Sequence, residues 1–281
     1  MQTRPGRTTE ARVTELSGTT ASGKHDSVAT EEPLEIRLAS GNASRTLAVT
    51  MRTPGNDFEL AAGFLYGEGV VRSRDEIAGI TYCLDSTPAL DQQYNVVSVE
   101  LSAVRPLAEF DGFERHFTIG SACGVCGRAA LVSLHERGIT PIDDDLKVGA
   151  SLLYELPDRM RAAQRIFAST GGLHAAALFD ERGNTVAVRE DVGRHNAVDK
   201  LVGWGLLEGR LPFARSIALV SGRTSYEIVQ KCAVARIPIL CSISAPSSLA
   251  VDLAREFGIT LVGFLRGDHA NVYGAPDRIT I

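Results

Sequence analysis

Large apolar residues are sparse over the first thirty positions and then recur with two different periods. Residues 1–30 are rich in Thr, Ser, Gly and Arg. Such a stretch buries too little surface to offset the cost of ordering, and it reads as a disordered tail. Leu34-Glu35-Ile36-Arg37-Leu38 alternates as a half-buried strand does, Gly41-Asn42 marks a turn, and Leu47-Ala48-Val49 returns as a second strand. Pro54-Gly55-Asn56-Asp57 stops that hairpin. Asp57 is placed to cap a helix carrying Phe58, Leu60, Ala61, Phe64 and Leu65, which Gly67 and Gly69 end. Strands at 77–83 and 94–101 complete a small α+β domain over residues 31–115.

After Gly120 the rhythm changes. Helices are expected from about Cys123 to His135 and from about Leu152 to Ala168, followed by strands at 173–179 and 185–189. The chain then alternates: helix 194–207, strand 216–220, helix 225–235, strand 237–241, helix 246–257, strand 260–264. Strict alternation argues for parallel strands with crossover helices, and the near-continuous apolar runs at 217–220 and 259–262 suit strands buried on both faces. The expectation for residues 116–281 is a layered α/β domain, its sheet mostly parallel with one antiparallel hairpin.

Composition adds exclusions. The 281 residues are 44% hydrophobic and 22% charged, with room for two cored domains. A net charge of −5 argues against a broad nucleic-acid surface, though not against a local basic pocket. No apolar run is long enough for a membrane span, and the first thirty residues lack a signal-peptide core, so a cytoplasmic protein is expected. Five cysteines make no disulfide framework.

In an open α/β sheet, ligands bind beyond the carboxyl ends of the parallel strands. The segments expected there are Ser221-Gly222-Arg223, Ser242–Ser248, and Phe264-Leu265-Arg266-Gly267-Asp268-His269. They bring hydroxyls, glycines and two arginines to helix N-termini, a set that suits a phosphorylated ligand. Each loop alone also reads as ordinary turn and cap chemistry; the three together favour the ligand site. Arg194 and His195, at another strand-to-helix junction, are placed to face the same ligand, the alternative for such a histidine being a structural role. His174 reads as structural.

Cys123-Gly124-Val125-Cys126 precedes an expected helix, whose N-terminus would favour thiolate. On the residues alone the pair is a redox dithiol, half a zinc site, a sulfur carrier or two packed thiols. Zinc lacks further ligands: there is no second CxxC, Ala122 precedes Cys123 where the zinc deaminases have Pro, and no His-x-Glu comes before it.

Longer motifs narrow this. FELAAGFLYGEGVV at 58–71, CGVCGR at 123–128, TGGLHAAALFD at 170–180, EDVGRHNAVDKLVG at 190–203, SGRTSYEIVQK at 221–231 and GFLRGDHANVYG at 263–274 occur in order. Over residues 32–281 the chain resembles the FdhD family of formate dehydrogenase accessory sulfurtransferases. The resemblance implies a cytidine-deaminase-like core without the metal, an added small domain, and a homodimer. It implies a sulfur carrier that accepts sulfane sulfur from a cysteine desulfurase as a persulfide on Cys123, assisted by Cys126. The sulfur would pass to the molybdenum-bis(molybdopterin guanine dinucleotide) cofactor, held as a bound substrate, before its insertion into apo-formate dehydrogenase. The family's cofactor-binding stretch maps onto residues 264–269. Rival readings are a chaperone that only shields the cofactor and a CxxC dithiol oxidoreductase.

Overall fold

The computed structural model describes residues 6–83, 94–111 and 134–281. It opens on β1 (Thr8–Ser17) and β2 (Thr20–Ala29), which pair antiparallel from Thr8↔Ala29 to Ser17↔Thr20. Residues 8–29 were expected as part of a tail; they form a ribbon instead. Its order comes from the backbone ladder across a turn at Gly18 (φ 58°), not from a core, since both faces are largely exposed. At its base the Thr30 amide donates to the Arg7 carbonyl (3.0 Å), and the Arg7 guanidinium donates to Asn56 Oδ1 (2.9 Å).

The small unit holds β3 (Glu32–Ser40), β4 (Ala43–Arg52), α1 (Asp57–Glu68), β5 (Ile77–Tyr82) and β6 (Val96–Leu101), in sheet order β4-β3-β6-β5. Leu34, Ile36 and Leu38 point inward as their alternation requires, and they pack with Leu60, Ala61 and Leu65 of α1. Asp57 does not cap α1. Asn56 is the N-cap, with a left-handed backbone (φ 58°), and Asp57 turns inward to accept from the fully buried Arg52 (3.1 Å), the Gly55 amide (3.1 Å) and the Tyr82 hydroxyl (2.8 Å). A buried guanidinium needs a carboxylate more than the helix needs a side-chain cap.

The larger unit contains β7 (Val148–Gly149), α2 (Ala150–Ala163), α3 (Arg165–Thr170), β8 (His174–Phe179), β9 (Thr185–Asp191), α4 (Arg194–Leu207), β10 (Ile217–Val220) and α5 (Tyr226–Val234). β11 (Ile239–Ser242), α6 (Ser248–Glu256), β12 (Thr260–Arg266), β13 (His269–Gly274) and β14 (Ile279–Thr280) follow. Six strands form one sheet in the order β13-β12-β11-β10-β8-β9. Its centre, β10-β11-β12, is parallel, and the outer pairings β10–β8, β8–β9 and β12–β13 are antiparallel. Ala218, Val220, Leu240 and Leu261 face α4, α5 and α6, while Ile217, Leu219, Ile239 and Val262 face α2. The fold is a mixed α/β architecture with helices on both faces of the main sheet.

Two expectations change here. The helix anticipated over 152–168 is interrupted at Gln164, and the last strand runs on to Arg266 and turns back as β13. The helix expected from Cys123 lies mostly outside the described residues, as does the expected domain boundary at 115/116. Its end fits: Gly138 (φ 76°) donates to the His135 carbonyl (2.9 Å).

The two units meet through α1 and α4 at Gly63 and Gly203. A methyl at Gly63 would fall 1.9 Å from the Asp199 carbonyl oxygen, and one at Gly203 1.8 Å from that of Glu59.

Candidate functional site

Register places the site. Val220 of β10 lies beside Ser242 of β11, and Cys241 beside Val262 of β12, so the segments after all three strands leave from one edge. β8 and β9 run the other way in turn, with Val220 opposite Ala176 and His174 opposite Asp191. The start of β8, the end of β9 and the N-terminus of α4 therefore join the same edge.

These segments are knitted into a shelf. The Thr224 amide donates to the Ala245 carbonyl (3.2 Å), Ser247 N to Thr224 O (3.0 Å), and Phe264 N to Ser244 O (3.1 Å). The buried Ser242 hydroxyl donates to the Gly222 carbonyl (2.9 Å). The Arg266 guanidinium donates to the Ile243 carbonyl (3.2 Å).

Three groups at this edge have no hydrogen-bond partner among the described residues. Arg223 is exposed, with no side-chain partner among the described residues. Arg194 Nε is buried with no hydrogen-bond partner, and so is the hydroxyl of Thr224, a residue with 0% exposure. Burying such groups unpaired is costly.

Phe264 has a left-handed backbone (φ 55°), rare for a bulky residue, at the bulge between β12 and β13, and the residue is 38% exposed. Gly267 (φ 55°) and Asp268 make the turn, with Arg266, Asp268 and His269 exposed. Leu265 departs from expectation. Its side chain is wholly buried among Leu219, Cys241 and Val262, because the bulge at Phe264 resets the alternation and turns position 265 to the same face as Val262. It reaches a ligand only through its backbone.

His195 also lies apart from the shelf groups. It lines a small cavity between the two units with Thr50, Asn196 and Lys231, and its Nε2 sits 3.0 Å from both Ser225 Oγ and Glu227 Oε2. Arg194 and His195 are adjacent on a helix and cannot share one face.

His174, expected as structural, lines a cleft of about 590 Å³ that runs from Ser221 and Ile243 to Arg161 and Gln164. Its Nδ1 is 3.4 Å from Ser221 Oγ, which accepts from the Ala175 amide (2.9 Å). Burial, reinforced by the charge of Arg194, pushes the imidazole pKa below its usual value; Asp191 pulls the other way. Sequence reasoning missed Gln164 altogether. No helix breaker marks position 164; the interruption is made by Glu190 of β9, whose carboxylate accepts from the amides of Ile166 (3.1 Å) and Phe167 (2.8 Å).

The loop behind Arg194 is fixed from the small unit. Asp191 accepts from the amides of Gly193 (2.8 Å) and Thr53 (3.1 Å) and from Asn196 Nδ2 (3.0 Å), and it pairs with Lys200 (2.6 Å). Cys123 and Cys126 lie outside the described residues. Among the described residues no cluster of His, Cys, Asp and Glu could hold a metal ion, and no helix is long and apolar enough to cross a membrane.

Comparison with known proteins agrees across the chain. A sulfur carrier protein FdhD of Streptomyces avermitilis is 51% identical over 98% of this chain and 97% of its own. One from Mycobacterium tuberculosis is 48% identical over 97% of this chain and 99% of its own. A crystal structure from Desulfotalea psychrophila, of a protein assigned as a formate dehydrogenase accessory protein, superposes with a TM-score of 0.74 at 26% identity, covering 98% of this chain and all of that one. The FdhD/NarQ family model matches residues 29–280, and the chain belongs to that family.

Proposed function

We propose that this protein is a sulfur carrier serving formate dehydrogenase, with Cys123 as the sulfur-bearing thiol. The observation that carries the reading is Cys123-Gly124-Val125-Cys126 in a chain that matches proteins named as sulfur carriers almost end to end. The other cysteines suit the role less. Cys232 and Cys241 are wholly buried, and burial pushes both thiols up to about 12, far from the thiolate that sulfur exchange needs. Cys83 is half-buried beside Arg37.

The loading step is a persulfide exchange. The Cys123 thiolate attacks the outer sulfur of a persulfide on a cysteine desulfurase. A sulfur–sulfur bond forms on Cys123, the donor's breaks, and the donor cysteine leaves as thiolate, with no net oxidation. Cys126 then serves as the releasing thiol. Its attack on the inner sulfur of the Cys123 persulfide forms a Cys123–Cys126 disulfide and expels hydrosulfide, and a cellular dithiol restores the pair.

The recipient is the bis(molybdopterin guanine dinucleotide) cofactor, held as substrate before its insertion into formate dehydrogenase. The shelf suits such a cargo: its pyrophosphates answer the exposed Arg223 and Arg266 beside the half-buried Arg194, with Phe264 and Gly267-Asp268-His269 at the rim. A second copy of the chain completes the assembly as a homodimer.

Incubation with desulfurase and cysteine is expected to add one sulfur to Cys123, read by mass spectrometry of the peptide. Cys123→Ala is expected to abolish the gain and formate dehydrogenase maturation in cells, and Cys126→Ala to keep the persulfide but block release. Full maturation by Cys123→Ala would replace this reading with that of a cofactor chaperone.

A further inference from the structure

The ribbon of β1 and β2 leaves one long edge open. β2 lies against α3, while β1 pairs with β2 and with no other strand among the described residues. The Thr30 amide donates to the Arg7 carbonyl, so the odd-numbered positions of β1 turn their backbone groups toward β2. The backbone groups of Thr8, Glu10, Arg12 and Thr14 point the other way. A ten-residue edge of this kind, with no proline in it, is a template for a further strand.

The residues on the edge fit one strand above others. Thr8-Thr9-Glu10-Ala11-Arg12-Val13-Thr14 is a palindrome in shape about Ala11, with the charge inverted: Glu10 answers Arg12, Thr9 answers Val13, and Thr8 answers Thr14. In an antiparallel pair related by a two-fold axis, one residue lies opposite its own copy, and its two neighbours lie opposite each other. With the axis at Ala11, Glu10 meets Arg12, Thr9 meets Val13 and Thr8 meets Thr14. Opposite charges, β-branched pairs and threonine pairs are the cross-strand neighbours that stabilise a sheet. An axis at Glu10 or at Arg12 sets like charges face to face. An axis at Val13 sets Glu10 opposite Leu16 and Arg12 opposite Thr14, and matches neither charge. Glu10 and Arg12 are both exposed and have no side-chain partner among the described residues, whereas Lys24 of β2 is already bonded to Glu15.

We infer that β1 is the edge through which two copies of this chain join, antiparallel about Ala11, with Glu10 of each copy against Arg12 of the other. The two ribbons then form one continuous sheet, and the half-buried Ala11 and Val13 of both copies share one face of it. A strand from a different protein would have no use for the palindrome. β1 also lies ahead of residue 29, where the family model begins. The inference rests on the homodimer of the proposed function and names the surface that makes it.

Sedimentation velocity of the full-length protein at low ionic strength tests it, with the native chain expected to run as a dimer at micromolar concentration. Glu10→Arg and Arg12→Glu each place like charges across the joint twice, and each is expected to weaken the dimer about tenfold or more. An equimolar mixture of the two variants is expected to recover the dimer, because each then meets the opposite charge on the other. Ala11→Cys is expected to yield a covalent dimer on mild oxidation, its disulfide joining the two position-11 thiols, read by peptide mass spectrometry. All three positions lie on the ribbon, outside both cores, so the variants keep the fold. A native dimer that neither charge variant weakens overturns the inference and leaves the homodimer to another surface. Weakening without recovery in the mixture overturns the pairing about Ala11. A native chain that stays monomeric overturns the homodimer reading as well.

Discussion

Asp191 is wholly buried and meets four donors: the amides of Thr53 and Gly193, the Asn196 side chain, and Lys200. Lys200 is nearly as buried; besides the carboxylate it donates to the carbonyl oxygens of Thr53 (2.8 Å) and Glu190 (3.5 Å). Burial pushes the lysine pKa down, while Asp191 pulls it back up. The two sides of the pair are therefore unequal. Removing the lysine leaves a carboxylate with three N–H donors; removing the carboxylate leaves an ammonium with carbonyls alone. Asp191→Ala is expected to cost about 3–5 kcal/mol, the range for breaking a buried pair. Lys200→Met is expected to cost clearly less, since the stem still packs and the carboxylate stays solvated by amides. Urea unfolding of both variants measures the difference, and equal losses would refute the asymmetry. Because Asp191 also fixes the turn before Arg194, the aspartate variant is the one expected to lose affinity at the shelf.

At the scale of elements, the contact between α1 and α4 is set by what is missing. Gly63 and Gly203 let each helix rest on the other's backbone, closer than any side chain permits. Gly203→Ala is expected to destabilise the fold by about 3 kcal/mol or more, the upper range for overpacking, since the obstructing atom is a carbonyl that cannot rotate away. Gly209→Ala, where the backbone is left-handed (φ 63°) but nothing lies near, is expected to cost only about 1 kcal/mol. Thermal or urea unfolding separates the two. The close approach at Gly203 was invisible in the sequence, whereas Gly209 lies just past the expected helix end at 207. The alternation of Leu34, Ile36 and Leu38, and the strand–helix rhythm from Arg194 to Arg266, were legible because each follows from a local period. The interruption at Gln164, the inward turn of Asp57 and the burial of Leu265 were not. Each depends on a group brought in by tertiary structure: Glu190, Arg52, and the neighbours that β12 meets after its bulge. The shelf was legible because strand ends in a parallel sheet share an edge; the cleft beside it was not, because its walls come from helices whose break no local signal marks.

The whole molecule is two packed units and one ribbon that touches them only at its base. The ribbon of β1 and β2 has no core: Leu16 is 77% exposed near its tip, and a lone two-stranded ribbon is marginal in water. Its ties to the body are the Arg7–Asn56 hydrogen bond and packing at its base, where β2 lies against α3 and Ala29 against the turn at Gly172 beside the cleft. The family match begins at residue 29, where the ribbon ends. These facts make the ribbon separable from the fold. Its removal takes away exposed ladder hydrogen bonds and little buried apolar surface, so the core terms that hold the two units are untouched. A chain starting at Glu31 is expected to keep its midpoint of thermal unfolding within about 4 °C of the full-length protein, as a loss near 1 kcal/mol gives at this size. It is also expected to load sulfur on Cys123 at the native rate. A fall of 10 °C or more would mean that the ribbon base is part of the shared core, and the turn at Gly171-Gly172 would be where that dependence enters.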